Sequence, residues 1–374
     1  MPNNGIFHGK LKDSLNYEYV VDRNVTLKEL SLEDISSQKS KLVPSFIIAW
    51  KNMKAAISFW VSAKRTRSYP YTRMFNTLSQ KNLKKITIFP VIKDEGMGVE
   101  KHRGCFDPIQ WDTFSMCSYL GIYTISAYYV KAKKNPLRKN RVRSQEFDHA
   151  YLVEKIKNIL TTNQNPKQWN DVERNSIGKL EELIINGYQK ISKETGVEFR
   201  NPNYVRDVLA KLKDPESFKL TSQEKSEQAQ NRENLTTQPK EMVFGLPKGK
   251  MTLEDSLGGK YYWTVDAYHI ESKNVYLMEM KHAKKGIPSI SDIKDALFKF
   301  HFYANLSELR DENDTELTPK PTLVLSSGTE SSDKIKNDKH VKLVIEEAEK
   351  NNIIVIASGK NNTKEKLIEE LVSN

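Results

Sequence analysis

Cysteine is nearly absent from this sequence, which contains only Cys105 and Cys117 among its 374 residues. Two cysteines cannot form a disulfide framework or fill a four-ligand zinc site. The seven histidines are scattered along the chain and do not supply the missing zinc ligands. A chain without a disulfide framework suits a reducing compartment, so we expect a cytoplasmic protein.

Long hydrophobic runs are missing as well. The most apolar stretch, residues 42–63, is interrupted by Lys51 and Lys54, whereas a membrane-spanning helix needs about 20 consecutive apolar residues. The first residues, MPNNGIFHGK, lack an apolar segment behind their charges, so we expect no secretory signal peptide. The sequence therefore argues against membrane proteins, secreted disulfide scaffolds and zinc-finger arrays.

Acidic residues are outnumbered by basic ones. The chain has 59 Lys and Arg against 48 Asp and Glu, a net charge of +11. A basic chain of this kind favours a polyanionic partner, DNA or RNA. With 16 Tyr, 14 Phe and 5 Trp the chain has the aromatic residues for a folded core, and its length suggests two domains.

The first part of the chain, residues 1–145, is typical of an α/β module with its own core. Residues 28–63 predict a helix, whereas 84–92 and 121–132 predict strands with a helical stretch between them. We expect this module to serve DNA recognition or dimerisation. Residues 146–220 predict a helical connection, with helices at 146–162 and 171–195.

The last part of the chain, residues 221–374, alternates strands and helices. Residues 221–240 have almost no apolar side chains, which indicates either a linker or a polar helix that faces a substrate. The later strands are predicted at 241–246, 260–270, 274–281, 321–327 and 352–358. The later helices are predicted at 289–309, 333–350 and 363–372. This order predicts a mixed β-sheet flanked by helices, and the whole chain an α/β protein of mixed α+β type.

Residues 131–143 form a strongly basic run, with seven basic side chains in thirteen positions and no acid. Such a run is either a solvated loop or a phosphate-contacting surface. The candidate DNA-binding residues are Lys133, Lys134, Arg138 and Lys139, together with Lys284 and Lys285 farther along the chain.

The segment with the clearest chemistry is YYWTVDAYHIESKNVYLMEMKHAKKG, residues 261–286. A hairpin turn predicted at 271–274 would bring Asp266 alongside the next strand. On that strand Glu279 and Lys281 are two residues apart and therefore share a face. Two carboxylates suit Mg²⁺, a hard ion that prefers oxygen ligands. A lysine beside the metal can orient the attacking water or neutralise charge on a scissile phosphate.

The motif Asp266…Glu279-Met280-Lys281, on a β-hairpin followed by a helix, resembles the PD-(D/E)XK nuclease superfamily, and more narrowly its type II restriction endonucleases. The resemblance implies Mg²⁺-dependent hydrolysis of double-stranded DNA at a short site, usually by a homodimer, leaving 5′-phosphate and 3′-hydroxyl ends. It also implies that residues 221–374 form a restriction-endonuclease-like nuclease core, that Asp266 and Glu279 are metal ligands and that Lys281 is the catalytic lysine. Val265 stands where the family has proline.

The superfamily often adds a glutamate from the helix before the hairpin, and Glu233 is our candidate for that role. Glu181 and Glu182 are the alternatives, although an ordinary amphipathic helix explains them as solvent-facing residues. If residues 221–240 are a linker, Glu233 is only a linker residue.

A second acidic cluster lies in the N-terminal module, at Asp94, Glu95, Asp107 and Asp112, with Lys131 at the end of a strand. Acids near glycine-rich turns usually form turns and caps, and no Glu-x-Lys follows, so we favour the site around Asp266. A repair or structure-specific nuclease, and a DNA-binding protein without catalysis, remain alternative functions.

Overall fold

The computed structural model describes residues 5–22, 26–36, 44–60, 68–97, 106–235, 245–360 and 363–373. The chain forms two units. Met1–Val25 together with Gln223–Asn374 make up the terminal unit, and Thr26–Ser222 make up the central unit. Both contain strands and helices, and the mixed sheets are flanked by helices. The mixed α/β class expected from the sequence is therefore confirmed.

The strands and helices are numbered here in chain order. The strands are β1 (Gly5–Leu11), β2 (Glu29–Ser31), β3 (Ser45–Trp50), β4 (Met53–Phe59), β5 (Lys84–Pro90), β6 (Ile92–Asp94), β7 (Phe106–Pro108), β8 (Ile122–Ala127), β9 (Tyr129–Lys134), β10 (Val142–Phe147), β11 (Gly249–Glu254), β12 (Lys260–Val265), β13 (Ala267–Glu271), β14 (Asn274–Ala283), β15 (Leu306–Asp311), β16 (Thr318–Ser327) and β17 (Ile354–Ser358). The helices are α1 (Leu32–Ser36), α2 (Ser68–Leu78), α3 (Trp111–Tyr119), α4 (His149–Thr161), α5 (Pro166–Asn175), α6 (Glu181–Thr195), α7 (Pro202–Lys213), α8 (Pro215–Leu235), α9 (Ile290–Tyr303), α10 (Ser332–Lys336), α11 (Lys339–Lys350) and α12 (Lys364–Ser373).

The terminal unit contains two four-stranded sheets, in the orders β12-β11-β1-β15 and β13-β14-β16-β17. Strand β1 pairs in parallel with β11 and antiparallel with β15. The sequence analysis places the first 25 residues in the N-terminal module, whereas in the structure β1 is an inner strand of this sheet. Strands β12 and β13 are separated by Asp266 alone. The chain therefore passes from one sheet to the other at this residue.

The central unit is built on a five-stranded sheet in the order β2-β3-β4-β5-β8. The helices predicted as a connection pack against its β8 edge. The side chain of Asn170 on α5 accepts a hydrogen bond of 2.8 Å from the backbone N–H of Thr124, and Glu173 accepts one of 2.9 Å from that of Ser126. Residues 146–222 thus share a unit with the strands that precede them.

The helix predicted over residues 28–63 is wrong for the described residues 28–36 and 44–60; the remainder of the range lies outside the description. Apart from the five-residue α1, this stretch forms strands β2, β3 and β4. The apolar run is broken by a two-residue turn between Trp50 and Met53, in which Lys51 has a positive φ of 54°. A short apolar run that is buried on both faces shows neither the helical nor the strand period. The sequence pattern alone therefore could not distinguish a helix from strands here.

Two boundaries in the terminal unit also differ from expectation. The helix predicted to end at residue 309 ends at Tyr303, and Leu306–Asp311 form β15, whose partner β1 comes from the opposite end of the chain. The strand β11 at Gly249–Glu254 was not predicted. The strand expected at 241–246 falls on residues 241–244, which lie outside the description, and on 245 and 246, which are not in a strand.

Helix α8 is long but polar. Its 21 residues run through the segment for which composition allowed a linker, so the polar helix is the correct alternative as far as Leu235. Residues 236–240 lie outside the description. Of the helices that the structure describes, none is both long and apolar enough to cross a membrane.

Candidate active site

Asp266 occupies the single position between β12 and β13. Strand β12 pairs with β11, and β13 pairs with β14. The Asp266 side chain is buried, and its Oδ2 accepts a hydrogen bond of 2.9 Å from the backbone N–H of Met280. Because Met280 lies between Glu279 and Lys281, this bond holds the Asp266 carboxylate beside both. The structure thus brings together the three residues of the sequence motif.

Strand β14 presents its alternate residues to opposite sides of the sheet. Met280 belongs to an apolar cluster that includes Leu367 and Leu371 of α12. Glu279 and Lys281 lie on the other side, where each contacts a side chain of α9. The strand alternation therefore separates a packing face from a charged face.

Helix α9 supplies two charged partners that the sequence analysis did not single out. Asp295 Oδ2 lies 2.7 Å from Lys281 Nζ, and Lys299 Nζ lies 2.6 Å from Glu279 Oε1. Asp295 and Lys299 are four residues apart and therefore share a face of the helix. The four side chains form two ion pairs of opposite polarity between β14 and α9. An acid and a lysine four residues apart, separated by the apolar residues 296–298, were the available signal.

These ion pairs are buried. Glu279 is 0% exposed, and the side chains of Lys281, Asp295 and Lys299 are each less than one-fifth exposed. A charge in such a place is tolerated only when it is paired or binds an ion. Removing any one of these charges therefore leaves its partner buried without its counter-charge, at a large desolvation cost.

The two lysines keep their protons. Desolvation lowers the pKa of the Lys281 ammonium, but the carboxylates of Asp295 and Glu279 outweigh it, and the net pKa lies above its ordinary value. Desolvation likewise lowers the pKa of Lys299, and the Glu279 carboxylate overcomes it so that the pKa lies well above the usual range. Both side chains are thus cations and hydrogen-bond donors at neutral pH, and neither can act as a general base.

Tyr303 extends the charged face of α9 by one further turn. Its hydroxyl is buried and has no hydrogen-bond partner among the described residues. Burial raises the pKa of this hydroxyl well above its ordinary value, and the nearby Glu279 carboxylate raises it further. Asp295 Oδ1 is likewise buried without a partner in the described part of the chain. A ligand in the site could form hydrogen bonds with these two atoms.

Helix α8 directs a polar side to the other sheet of this unit, the one that contains β11 and β12. The Gln230 amide donates hydrogen bonds of 3.0 Å to the carbonyl of Met251 and 2.6 Å to that of Trp263, which are register partners on β11 and β12. Asn234, one turn later, is also buried. Glu233 is exposed on the neighbouring face. The helix thus directs amide side chains toward the sheet, while the candidate glutamate acts on the site only through its charge, which raises the pKa of Tyr303.

The donor set is suited to a small, hard cation. Among the described residues no group of three or more His, Cys, Asp and Glu side chains could hold a metal ion. Asp266 and Glu279 nonetheless provide two buried carboxylates at adjoining positions. Mg²⁺ in phosphate-processing enzymes is commonly held by one or two carboxylates, with waters and substrate oxygens completing the shell. Asp266 and Glu279 are therefore the residues that would hold Mg²⁺, with the other coordination positions left to water and substrate.

The six basic residues predicted to contact DNA are all exposed. They are Lys133 and Lys134 on β9, Arg138 and Lys139 in the β9–β10 turn, and Lys284 and Lys285 after β14. The first four belong to the central unit and the last two to the terminal unit.

The rival acidic cluster is taken up by local structure. Asp94 is buried and accepts hydrogen bonds from two backbone N–H groups at 2.9 and 3.2 Å. Glu95 forms an ion pair of 3.0 Å with Lys93, Asp107 lies in β7, and Asp112 lies in the first turn of α3. Asp94 and Asp107 lie in the paired strands β6 and β7, and Asp112 lies at a helix start, so the expectation of turns and caps holds for only part of this cluster.

Glu181 and Glu182, the alternatives to Glu233, lie on α6 in the central unit. Glu181 is 2.6 Å from Lys213, and Glu182 is 3.1 Å from Arg206, both of α7. These ion pairs join two helices of that unit. Cys117 is buried in α3, where desolvation raises the pKa of its thiol, as expected of a structural cysteine. Cys105 lies outside the described residues.

Comparisons of this chain with protein-family models, with curated proteins and with solved structures find no match.

Proposed function

We propose that this protein is a Mg²⁺-dependent endonuclease of the PD-(D/E)XK type that hydrolyses phosphodiester bonds in double-stranded DNA at a specific sequence and leaves 5′-phosphates. The observation that carries the proposal is the hydrogen bond from the Met280 N–H to Asp266, which gathers Asp266, Glu279 and Lys281 at one point of the fold. Two carboxylates and an ammonium ion are the groups that metal-assisted phosphodiester hydrolysis needs.

The order of elements supports the proposal. Helix α8 precedes four strands that pair antiparallel as β11–β12 and β13–β14, and α9 and β15 then lead from β14 to its parallel partner β16. The predicted order of helix, three strands, helix and strand is met with two differences: the strand predicted at 260–270 is divided at Asp266 between two sheets, and β15 is added after α9. Asp266 directly precedes β13 and Glu279 lies on β14, so the motif lies on a β-hairpin followed by a helix, as the resemblance implies.

Each side chain has a chemical task in this proposal. Asp266 and Glu279 would hold the metal ion, which when bound supplies Lewis-acid assistance at the scissile phosphate. Lys281, charged and fixed by Asp295, can donate hydrogen bonds to the attacking water and to a phosphate oxygen as negative charge builds there. Asp295 thereby limits the directions in which the lysine can point. Lys299 offsets part of the negative charge of Glu279.

Incubation with plasmid DNA tests the proposal most directly. We expect discrete fragments with Mg²⁺ and intact plasmid with EDTA. A smear of products would favour a repair or structure-specific nuclease, and a gel shift without cutting would favour a DNA-binding protein without catalysis. Ligation of the products without prior phosphorylation checks for 5′-phosphate ends.

The proposal includes a homodimer acting in the cytoplasm. A dimer provides two active sites for the two strands of a duplex, and a two-fold site on DNA mirrors a two-fold protein. The low cysteine content suits the cytoplasm. Light scattering of the protein with and without duplex DNA measures the oligomeric state.

For Glu233 we expect a moderate catalytic effect. Its charge reaches the Tyr303 hydroxyl in the site, so Glu233→Gln should lower the cleavage rate and raise the Mg²⁺ concentration needed for half-maximal rate. Glu181→Gln and Glu182→Gln are matched controls, because both carboxylates pair with α7 in the other unit. Equally small effects in all three variants would identify Glu233 as a solvent-facing helix residue.

The β9–β10 hairpin should contribute phosphate contacts. Lys133, Lys134, Arg138 and Lys139 are exposed, and no ion pair joins them to an acid of the described chain. Each lost phosphate contact lowers the slope of log affinity against log salt by roughly 0.9. Replacing all four with glutamine should therefore weaken cognate and random duplex binding alike and flatten the slope by up to about three units.

The measurement is duplex binding in Ca²⁺ over a series of salt concentrations. Sequence preference should survive, because phosphate contacts position a protein without reading bases. Glutamines at the exposed Lys167, Lys190, Lys193 and Lys211 of α5, α6 and α7 control for the same loss of four charges. An unchanged slope in the hairpin variant would mean that the run is a solvated loop.

A further inference from the structure

The tip of the β9–β10 hairpin carries an exposed leucine. Leu137 is 92% exposed, more than any other large apolar side chain described. Its neighbours Pro136, Arg138 and Lys139 are also exposed. A single exposed leucine is ordinary on a protein surface. Leu137 differs from such residues because it lies at the end of a basic two-stranded ribbon.

The tip is ordered by its own hydrogen bonds. The Asn135 side chain accepts bonds of 3.0 and 3.2 Å from the backbone N–H groups of Leu137 and Arg138. The Asn135 N–H donates to the carbonyl of Arg141 at 2.8 Å, which closes the loop. Leu137 is therefore held outward by a fixed backbone, and little conformational entropy remains to be lost when it binds.

The base of the hairpin is anchored in the central unit. Tyr129 and Phe147, at its two ends, are buried and stack with ring centroids 4.5 Å apart. At the opposite end of the strands, next to the tip loop, the Val142 N–H donates a bond of 2.9 Å to the carbonyl of Glu95. Because the ribbon is held at both ends, its tip keeps its position when it contacts a partner.

The chemistry of the hairpin selects its partner. Four exposed cations, Lys133, Lys134, Arg138 and Lys139, lie within four residues of Leu137 along the chain, and this charge complements a polyanion. A protein interface needs a cluster of apolar contacts, which one leucine and one proline do not supply. A single apolar wedge is enough to part stacked base pairs, and leucine and proline are among the residues that proteins use for this. A two-stranded ribbon also fits a groove of B-form DNA.

We propose that the β9–β10 hairpin enters a groove of duplex DNA and that Leu137 inserts at a base step while its flanking cations hold the phosphates. The inference rests on the proposed function only in taking duplex DNA as the partner. It assigns to the central unit a DNA-deforming role that is separate from the chemistry at Asp266.

An unwinding assay tests this without knowledge of the recognition sequence, because a side chain inserted between base pairs unwinds the duplex. Plasmid is relaxed by a type I topoisomerase that needs no metal, in EDTA so that the proposed nuclease cannot cut. We expect the wild-type protein to shift the topoisomer distribution. Leu137→Ala should reduce that shift at equal DNA occupancy by at least about half, and Leu137→Met should retain it. Affinity should fall by about three- to tenfold in Leu137→Ala, as the burial of one leucine side chain allows.

Val172→Ala is the matched control, because Val172 is a half-exposed apolar residue of α5 in the same unit. Wild-type protein that binds and cuts DNA without shifting the topoisomers overturns the wedge and leaves the nuclease proposal intact. Wild-type protein that does not bind DNA overturns both. A change in molecular mass on Leu137→Ala, measured by light scattering, would make Leu137 an interface between copies of this chain and would also overturn the wedge.

Discussion

We expect Asp266→Ala, Glu279→Ala and Lys281→Ala each to reduce plasmid cleavage by at least about 100-fold while duplex binding in Ca²⁺ persists. The carboxylates hold the metal ion and the lysine acts on the water and the phosphate, so the loss falls on the chemical step. Single-turnover cleavage of a plasmid substrate measures the rate, and a gel shift measures the binding. Glu182→Ala, which changes an exposed acid of α6, should cut at the wild-type rate.

The structure shows which variants separate catalysis from folding. Asp266→Ala leaves the buried Met280 N–H without its acceptor, which costs about 1–3 kcal/mol of stability. Asp266→Asn keeps an acceptor oxygen but removes the charge that binds metal. We therefore expect Asp266→Asn to melt close to the wild-type temperature and still to lose cleavage. An Asp266→Asn protein that cuts at the wild-type rate would contradict the assignment of Asp266 to the active site.

The second large effect concerns stability. Lys299→Met should lower the free energy of unfolding by about 3–5 kcal/mol, because it leaves the fully buried Glu279 carboxylate without the ammonium 2.6 Å away. The double variant Glu279→Leu/Lys299→Met should lose far less free energy of unfolding than the two single variants lose in sum, because both charges are removed together. Urea denaturation of the four proteins of this cycle measures the coupling.

An exposed ion pair of the same length provides the control. Lys54 Nζ lies 2.6 Å from Glu29 Oε2, with both side chains about half exposed. Lys54→Met should therefore cost no more than about 1 kcal/mol. If Lys299→Met costs no more than this, Lys299 is not the main compensating charge of the buried Glu279 carboxylate.

The Lys299 variant also tests the metal site by a measurement other than cleavage. A divalent cation bound between Asp266 and Glu279 can replace the missing ammonium charge, and ligand binding to the native state raises stability by mass action. We therefore expect Mg²⁺ to raise the melting temperature of Lys299→Met more than that of the wild type. Equal shifts in the two proteins would argue against Glu279 as a metal ligand.

The local architecture around Asp266 follows from short-range sequence features. The turn predicted at 271–274 joins β13 to β14 in the structure, where Ser272 has a positive φ of 56°. The strand period placed Glu279 and Lys281 on one face. These features depend on neighbours a few residues apart, and local geometry is what a sequence pattern reports.

The remaining features depend on long-range packing. The apolar run before Phe59 forms β3 and β4 because a sheet buries both of its faces, and β1 joins the sheet of β11 and β15 from the far end of the chain. The pairing of Lys299 with Glu279 depends on the distance and rotation at which α9 packs on β14. Contacts between residues distant in sequence are selected by the total burial and charge compensation of the folded chain, and no single segment carries that information.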